Sequence, residues 1–204
     1  MVFDDYFEGE VILENDRARL EPLMPEHFDF LLPIALNQEL WAFTSVQVTD
    51  EESFQKYFSQ AMHEKAQKLS YPFAIFDKRA NTYAGSTRYA NIAFEHKRLE
   101  IGWTWYDPTM QRTGINKNCK HLLLSYAFDV LLFNRVELKT SSTNLKSQGA
   151  MLKIGAVKEG TLRRHMINEN GSLRDSVCFS FIREEWGETK LRFFPEFYDS
   201  VPHL

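Results

Sequence analysis

Cysteine is scarce in this chain. Cys119 and Cys178 are the only two among 204 residues, which provides no disulfide framework and no paired metal-ligand spacing. The six histidines are scattered, without a His-x-x-x-His pair, so no metal site is expected. A basic excess is also missing. Lys and Arg number 24 against 28 Asp and Glu, for a formal net charge of -4. A general nucleic-acid binder would carry a basic face, so no nucleic-acid partner is expected. A small anionic ligand stays allowed, because it needs only local donors. Long apolar runs are absent too: no stretch approaches the ~20 residues of a membrane helix. The segment Met1-Val2-Phe3-Asp4-Asp5 is acidic and has no signal-peptide pattern. The expected location is cytoplasmic, with no membrane partner.

What is present is an ordinary globular balance, 44% apolar and 25% charged. Seventeen Phe, eight Tyr and four Trp are more than one core of this size absorbs, so some must lie in strands or line a cleft. No internal repeat or low-complexity linker divides the chain, and the length suits one large domain. Residues 10–20 read as one strand or a small hairpin around Asn15-Asp16. Pro25 and Glu26 open a helix to about residue 37, with Phe28, Leu31 and Leu32 as its buried stripe. Asp50 or Thr49 caps a second helix over 51–69, with Phe54, Tyr57, Phe58, Ala61 and Met62 at helical spacing. Three strands follow as an antiparallel meander, ending at Tyr106 before Asp107-Pro108. A helix is predicted over 114–131, with Ile115, Cys119, Leu122, Leu123, Tyr126 and Val130 on its apolar face and Lys117, Lys120 and Asp129 off it. Residues 135–140 alternate as a half-buried strand. A helix over 145–154 stops at Gly155. Two closing strands, about 156–167 and 173–182, are joined by Asn168-Glu169-Asn170-Gly171, a hairpin-turn sequence.

The order predicts an α+β, or mixed α/β, fold around one twisted, mostly antiparallel sheet of about seven strands. Only the strand-helix-strand unit between residues 99 and 140 calls for parallel pairing, by a right-handed crossover. The domain is expected over 9–186, leaving 187–204 as a C-terminal tail of unassigned role.

The loop Gln111-Arg112-Thr113-Gly114-Ile115-Asn116 carries the chemistry. It precedes a helix, so first-turn N–H groups and the helix dipole favour an anion there. Gly114 permits close approach to the backbone, Arg112 adds a cation, and Gln111, Thr113 and Asn116 add neutral donors. The set suits a pyrophosphate. It is neither a Walker A loop nor a dinucleotide fingerprint, because Gly-x-x-x-x-Gly-Lys-Ser/Thr and Gly-x-Gly-x-x-Gly are both absent. Alone it reads more readily as a plain capped helix.

Its context resembles a known family. Glu100-Ile101-Gly102-Trp103, then Asp107-Pro108, then Gln111 to Asn116 are similar to the acetyl-CoA signature of the GNAT acetyltransferases, closest to the ribosomal-protein-alanine N-acetyltransferase-like subgroup. Asn144-Leu145-Lys146-Ser147 and Lys153-Ile154-Gly155-Ala156 resemble that family's second motif. The resemblance implies an acetyl-CoA-dependent N-acetyltransferase acting on a primary amine by direct attack in a ternary complex. The amine would be a peptide or protein N-terminus, an amino acid or a small amine, and the enzyme a monomer or homodimer. It implies that Gln111, Arg112, Thr113, Gly114, Ile115 and Asn116 hold the pyrophosphate. Asn144 would contact the cofactor, and backbone N–H groups of Trp103, Thr104 and Trp105 would face the thioester.

Acyl transfer needs a deprotonated amine, aligned reactants, a stabilised oxyanion and a released thiolate. By resemblance Glu100 is the candidate base; otherwise it faces solvent beside Lys97 or Arg98. Ser147 aligns with a serine proposed to assist the leaving thiolate in the subgroup. Two departures stand out. Asn116 fills a position usually Gly or Ala, and Met151 fills one where many members have a Tyr. The second keeps open a non-catalytic acyl-CoA-binding module on the same fold; an interaction protein that binds neither ligand is a further rival. Cys119 is read as core. Arg163-Arg164-His165 reads as a solvated strand face, and Trp41, Phe43 and Arg88 could line an acceptor site.

Overall fold

The computed structural model describes residues 7 and 9–198. A short hairpin opens it: β1 (Leu13–Glu14) pairs antiparallel with β2 (Ala18–Pro22). The Asn15 side chain makes the turn by accepting from the N–H groups of Arg17 and Ala18, each at 2.9 Å. Two helices follow, α1 (Phe28–Ala35) and α2 (Glu51–Ala66). Asp50 caps α2 and exchanges hydrogen bonds with Ser53. Strands β3 (Tyr71–Asp77), β4 (Thr82–Ala93) and β5 (Arg98–Tyr106) form the expected meander. Helix α3 (Ile115–Ser125) leads to β6 (Arg135–Ser141), then α4 (Leu145–Lys153), β7 (Val157–Ile167) and β8 (Leu173–Ile182). Helix α5 (Arg183–Phe193) closes the described chain with a short turn at Pro195–Phe197.

The sheet has eight strands in the order β1-β2-β3-β4-β5-β6-β8-β7, one more than expected, because residues 10–20 fold as a hairpin. Only β5 and β6 run parallel, and only over three pairs, Arg98 with Arg135 to Glu100 with Glu137. Beyond them β5 stays on β4 and β6 stays on β8, so the sheet splits. The β4–β5 register also shifts between Ser86 and Arg88, where Trp103 takes φ +50°. This bulge releases the middle of β5 from regular pairing just where the split opens.

Each face of the sheet has its own core. On one, α3 and α5 cover Leu20, Phe73, Ile75, Tyr89, Leu99, Ile101, Leu138 and Phe179. On the other, α1 and α2 cover Leu23, Ala74 and Trp105, with Trp41 among them. Each large apolar side chain so buried contributes roughly 1.5–3 kcal/mol. Alternation along β5 sends Leu99 and Ile101 to the α3 side, so Glu100 between them faces the other.

Helix α3 differs from its expected stripe. After Ser125 it widens into a π turn, Tyr126–Val130, closed by the Leu131 N–H on the Tyr126 carbonyl at 2.9 Å. The wider turn changes the phase, so Ala127 and Phe128 are buried and Val130 is 62% exposed. Lys120, expected off the apolar face, is 6% exposed and lies against the sheet.

Helix α5 runs across the 186/187 boundary expected from sequence, and the segment packs on α3. The His121 ring stacks on Phe197 at 4.2 Å and bonds the Tyr198 hydroxyl at 2.7 Å. Trp186 Nε1 donates to Asp129 at 3.1 Å, and Lys117 pairs with Glu196 at 2.6 Å. Residues 199–204 of the expected tail lie outside the described residues.

Candidate active site

The loop into α3 is built around Gly114, which takes φ +95°, a conformation that favours glycine. A Cβ there would meet only the Asn118 amide, at 4.0 Å, so the space in front is open. No side chain caps α3, which leaves its first N–H groups available to an anion. Asp107 folds the approach by accepting from the Thr109 N–H at 2.8 Å. Arg112, at φ +64°, is exposed with Thr113 and Gly114. Gln111 Oε1 accepts from Lys146 at the start of α4, which ties the two helix starts together. The Thr113 hydroxyl is used internally on the Met110 carbonyl, and the Ile115 side chain is core at 1% exposure. Both residues therefore offer backbone rather than side chain. Asn116 is half-buried. An uncapped helix start, an open glycine and an exposed arginine fit a pyrophosphate.

The split between β5 and β6 lies next to this loop. Trp103 is exposed and stacks over Arg88, while Trp105 is buried and donates through Nε1 to the Tyr57 hydroxyl at 3.1 Å. The Trp105 side chain belongs to the α2 core, so only its backbone remains for a ligand. Across the split, Asn144 caps α4 by accepting from the Ser147 N–H at 3.0 Å. Ser147 stands half-buried in the first turn, and Met151 packs against the α3-side core.

Behind β5, on the face opposite α3, Glu100 is 7% exposed and not solvent-facing beside Lys97 or Arg98. Lys139 Nζ lies 2.7 Å from its Oε2, and Asn91 Nδ2 donates to the same atom at 2.8 Å. Among the described residues Oε1 has no hydrogen-bond partner. A Cβ at Gly102 would sit 3.2 Å from it, so this glycine leaves room for the carboxylate. Lys139 also bonds Glu137, which takes Arg135, which forks onto Glu159. These carboxylates hold the Lys139 ammonium above its ordinary pKa against the cost of its burial.

A cavity of about 360 Å³ lies on the described surface between the loop after α1, the end of β6 and the β7–β8 turn. Phe43, Thr44, Ser141, Ser142, Arg174 and Asp175 help line it. The turn is fastened to the loop: Glu169 accepts from the Gln47 N–H at 2.8 Å and donates its own N–H to the Ser45 carbonyl at 3.1 Å. Arg174 Nε is buried without a hydrogen-bond partner among the described residues. Trp41 does not line the cavity but fills the α2 core, its Nε1 on the Ala35 carbonyl at 2.7 Å. Arg88 is committed to Glu64 at 2.9 Å. Arg163, Arg164 and His165 are exposed on β7.

Two buried groups on α3 complete the picture. Cys119 is fully buried and burial pushes its thiol up to about 12, as befits core rather than nucleophile. Lys120 Nζ donates to Thr104 Oγ1 at 3.1 Å, and Thr104 shares a 2.7 Å hydrogen bond with Thr87. Burial brings the Lys120 ammonium down to about 8. The helical spacing puts this lysine off the apolar face; the signal for its burial is its place between Cys119 and the run Leu122-Leu123-Leu124, inside an apolar arc.

Comparison with known proteins follows the same lines. Residues 17–157 match the acetyltransferase (GNAT) domain family. The chain is 25% identical over 175 residues to the uncharacterized N-acetyltransferase YoaA of Bacillus subtilis, covering 84% of this chain and 97% of that protein. It is 31% identical over 96 residues to the "Putative ribosomal N-acetyltransferase YdaF" of Bacillus subtilis, covering 47% and 51%. Its structure is similar to that of a GCN5-related N-acetyltransferase from Brucella melitensis, with TM-score 0.84 and 26% identity over 94% of this chain and 89% of the other.

Proposed function

Because the chain belongs to the GNAT acetyltransferase family, we propose that it moves an acetyl group from acetyl-CoA to a primary amine, by direct attack with both reactants bound. The observation that carries this reading is the junction of an uncapped α3 start with a split between β5 and β6. One feature receives an anion, and the adjacent one offers unpaired strand backbone to an extended amide-bearing arm. Acetyl-CoA supplies the acyl group as a thioester.

Gln111, Arg112, Gly114 and the first backbone N–H groups of α3 hold the pyrophosphate, with Thr113, Ile115 and Asn116 shaping the turn. The backbone of Trp103, Thr104 and Trp105 pairs along the arm. Asn144 fixes the start of α4, and Ser147 offers its hydroxyl to the sulfur. Glu100 Oε1 takes the proton of the acceptor, directly or through water, while Lys139 and Asn91 hold Oε2. An α-amine has a pKa of ~7.7–8.0 against ~10.4 for a lysine side chain, so a modest base suffices for an N-terminus. The cavity beside Arg174 receives the acceptor. Its polar walls and its unpartnered guanidinium nitrogen favour an amine that carries a carbonyl or carboxylate nearby, as a peptide N-terminus or an amino acid does. Similarity to a relative named for ribosomal acetylation supports a peptide or protein N-terminus among these.

The test is a thermal-shift titration with acetyl-CoA, followed by thiol release against a panel of amines that includes short peptides with different first residues. The expected result is a raised melting temperature and turnover with at least one α-amine. No shift at saturating acetyl-CoA, or turnover confined to amines without a neighbouring carbonyl or carboxylate, would overturn the reading.

A further inference from the structure

Among the described residues, Lys120 is the buried cation on the α3 side of the split to which the proposed acetyl transfer gives no role. Only 6% exposed, it has no carboxylate partner among the described residues. One of its three N–H donors reaches a hydroxyl, Thr104 Oγ1 at 3.1 Å. A buried ammonium so poorly satisfied is costly, and the fold nevertheless holds it there. Thr104 lies beyond the last β5–β6 pair, immediately after the bulge at Trp103. Lys120 is therefore fixed beside the stretch of β5 assigned to the thioester. No tyrosine stands at position 151 to serve the leaving group.

We propose that Lys120 is a catalytic residue: its Nζ faces the departing sulfur of the acetyl donor and gives that sulfur its proton. This rests on the acetyl-transfer reading. As the acceptor nitrogen bonds the carbonyl carbon, the carbon–sulfur bond breaks and its electron pair leaves with sulfur. Lys120 passes one proton to sulfur, forming the free thiol and a neutral amine. The proton lost by the acceptor nitrogen leaves through Glu100 to water, and water returns one to Lys120. Atoms and charge balance without any other reactant. Ser147 bonds the sulfur from the opposite side of the split without transferring a proton.

The surroundings suit an ammonium that cycles. Cys119 precedes it on α3, its hydrogen-bond partner is Thr104 of β5, and Thr104 is bonded in turn to Thr87 of β4. Asp77, which acts on the neighbouring Cys119, is itself paired with Arg17 at 2.7 Å. Burial, with no countercharge to offset it, brings Lys120 down to about 8, within range of a thiol.

Lys120→Met and Lys120→Gln test the assignment, both checked for native circular dichroism. The first readout needs no turnover. CoA is bound to each protein and its thiolate absorbance is followed against pH, relative to the CoA-free protein. The ammonium should make the bound thiol ionise at lower pH in the wild type than in either variant; identical titrations would overturn the proposal. The second readout is kcat with the best amine of the panel. A loss of about a hundred-fold is expected, with acetyl-CoA affinity retained. The wild type should lose activity as pH rises through about 8, and the variants should lack that fall. Wild-type kcat in Lys120→Met would sink the proposal while leaving the acetyltransferase reading intact. A wild type that acetylates no amine would sink that reading, and the thiol titration would still decide on Lys120.

Discussion

Two buried charges flank strand β5, and they are furnished differently. Glu100, on the acceptor face, has a countercharge in Lys139 at 2.7 Å and an amide donor in Asn91. Lys120, on the α3 face, has one hydroxyl. A countercharge ties a buried ion into the framework, whereas an ion without one stays responsive to ligand and pH. The face of Glu100 is a wired ladder of charges from Glu100 to Glu159; the α3 face is, among the described residues, an apolar packing with Lys120 set into it.

The largest effect expected is on the donor face alone. Gly114→Trp places a bulky side chain at φ +95°, in front of the uncapped helix start. It should abolish CoA binding, measured by calorimetry, with native circular dichroism retained. Unchanged affinity would contradict the loop assignment and with it the division between faces.

On the face opposite α3, Glu100→Gln keeps shape and the Asn91 contact but removes the proposed proton acceptor. An α-amine near its own pKa needs limited help, so kcat should fall by about ten-fold near neutral pH. The deficit should close as pH rises. A wild-type kcat at neutral pH would make Glu100 framework only and sharpen the contrast with Lys120.

The same substitution on both faces gives the most direct comparison. Lys139→Met strands the buried carboxylate of Glu100, while Glu137 keeps Arg135, and should cost about 3 kcal/mol in urea unfolding. Lys120→Met removes an ion that has no countercharge, so its stability should stay level or rise. Equal losses would erase the distinction.

A smaller effect concerns His121. Burial takes its pKa down to about 4, below the ordinary ~6.5 of the unfolded chain. As pH falls, the unfolded state takes the proton first. The stability tied to the neutral ring is complete above about pH 6.5 and erodes toward pH 4. His121→Phe should lessen the drop in melting temperature over that window; an unaltered drop would show that the α5 packing on α3 is insensitive to this ring.

Much of this was legible in sequence because it is local. The Asp50 cap, the Asn144 cap and the Asn168–Gly171 turn are short-range chemistry, and their elements lie where the spacing puts them. The helical start at Gly114 was legible for the same reason. What escaped depended on tertiary contact. The partner of Glu100 is 39 residues away on β6, and nothing in Glu-Ile-Gly-Trp announces it. Lys120 was assigned outward because it is charged, although Cys119, Leu123 and Leu124 around it are all buried. Val130 was assigned inward because an α-helical period was assumed through a π turn.

That π turn makes chain length a control on chemistry. Its extra residue lets the front of the helix, with Ile115 and Lys120, be set apart in rotation from the rear, with Ala127 and Phe128. Removing one residue between 126 and 130 would twist front against rear by about 100°. The aromatic packing on α5 would then compete with the lysine's seat beside Thr104. Such a deletion is expected to shift the seat of Lys120 from the back wall of the fold, without changing any residue that lines the cleft.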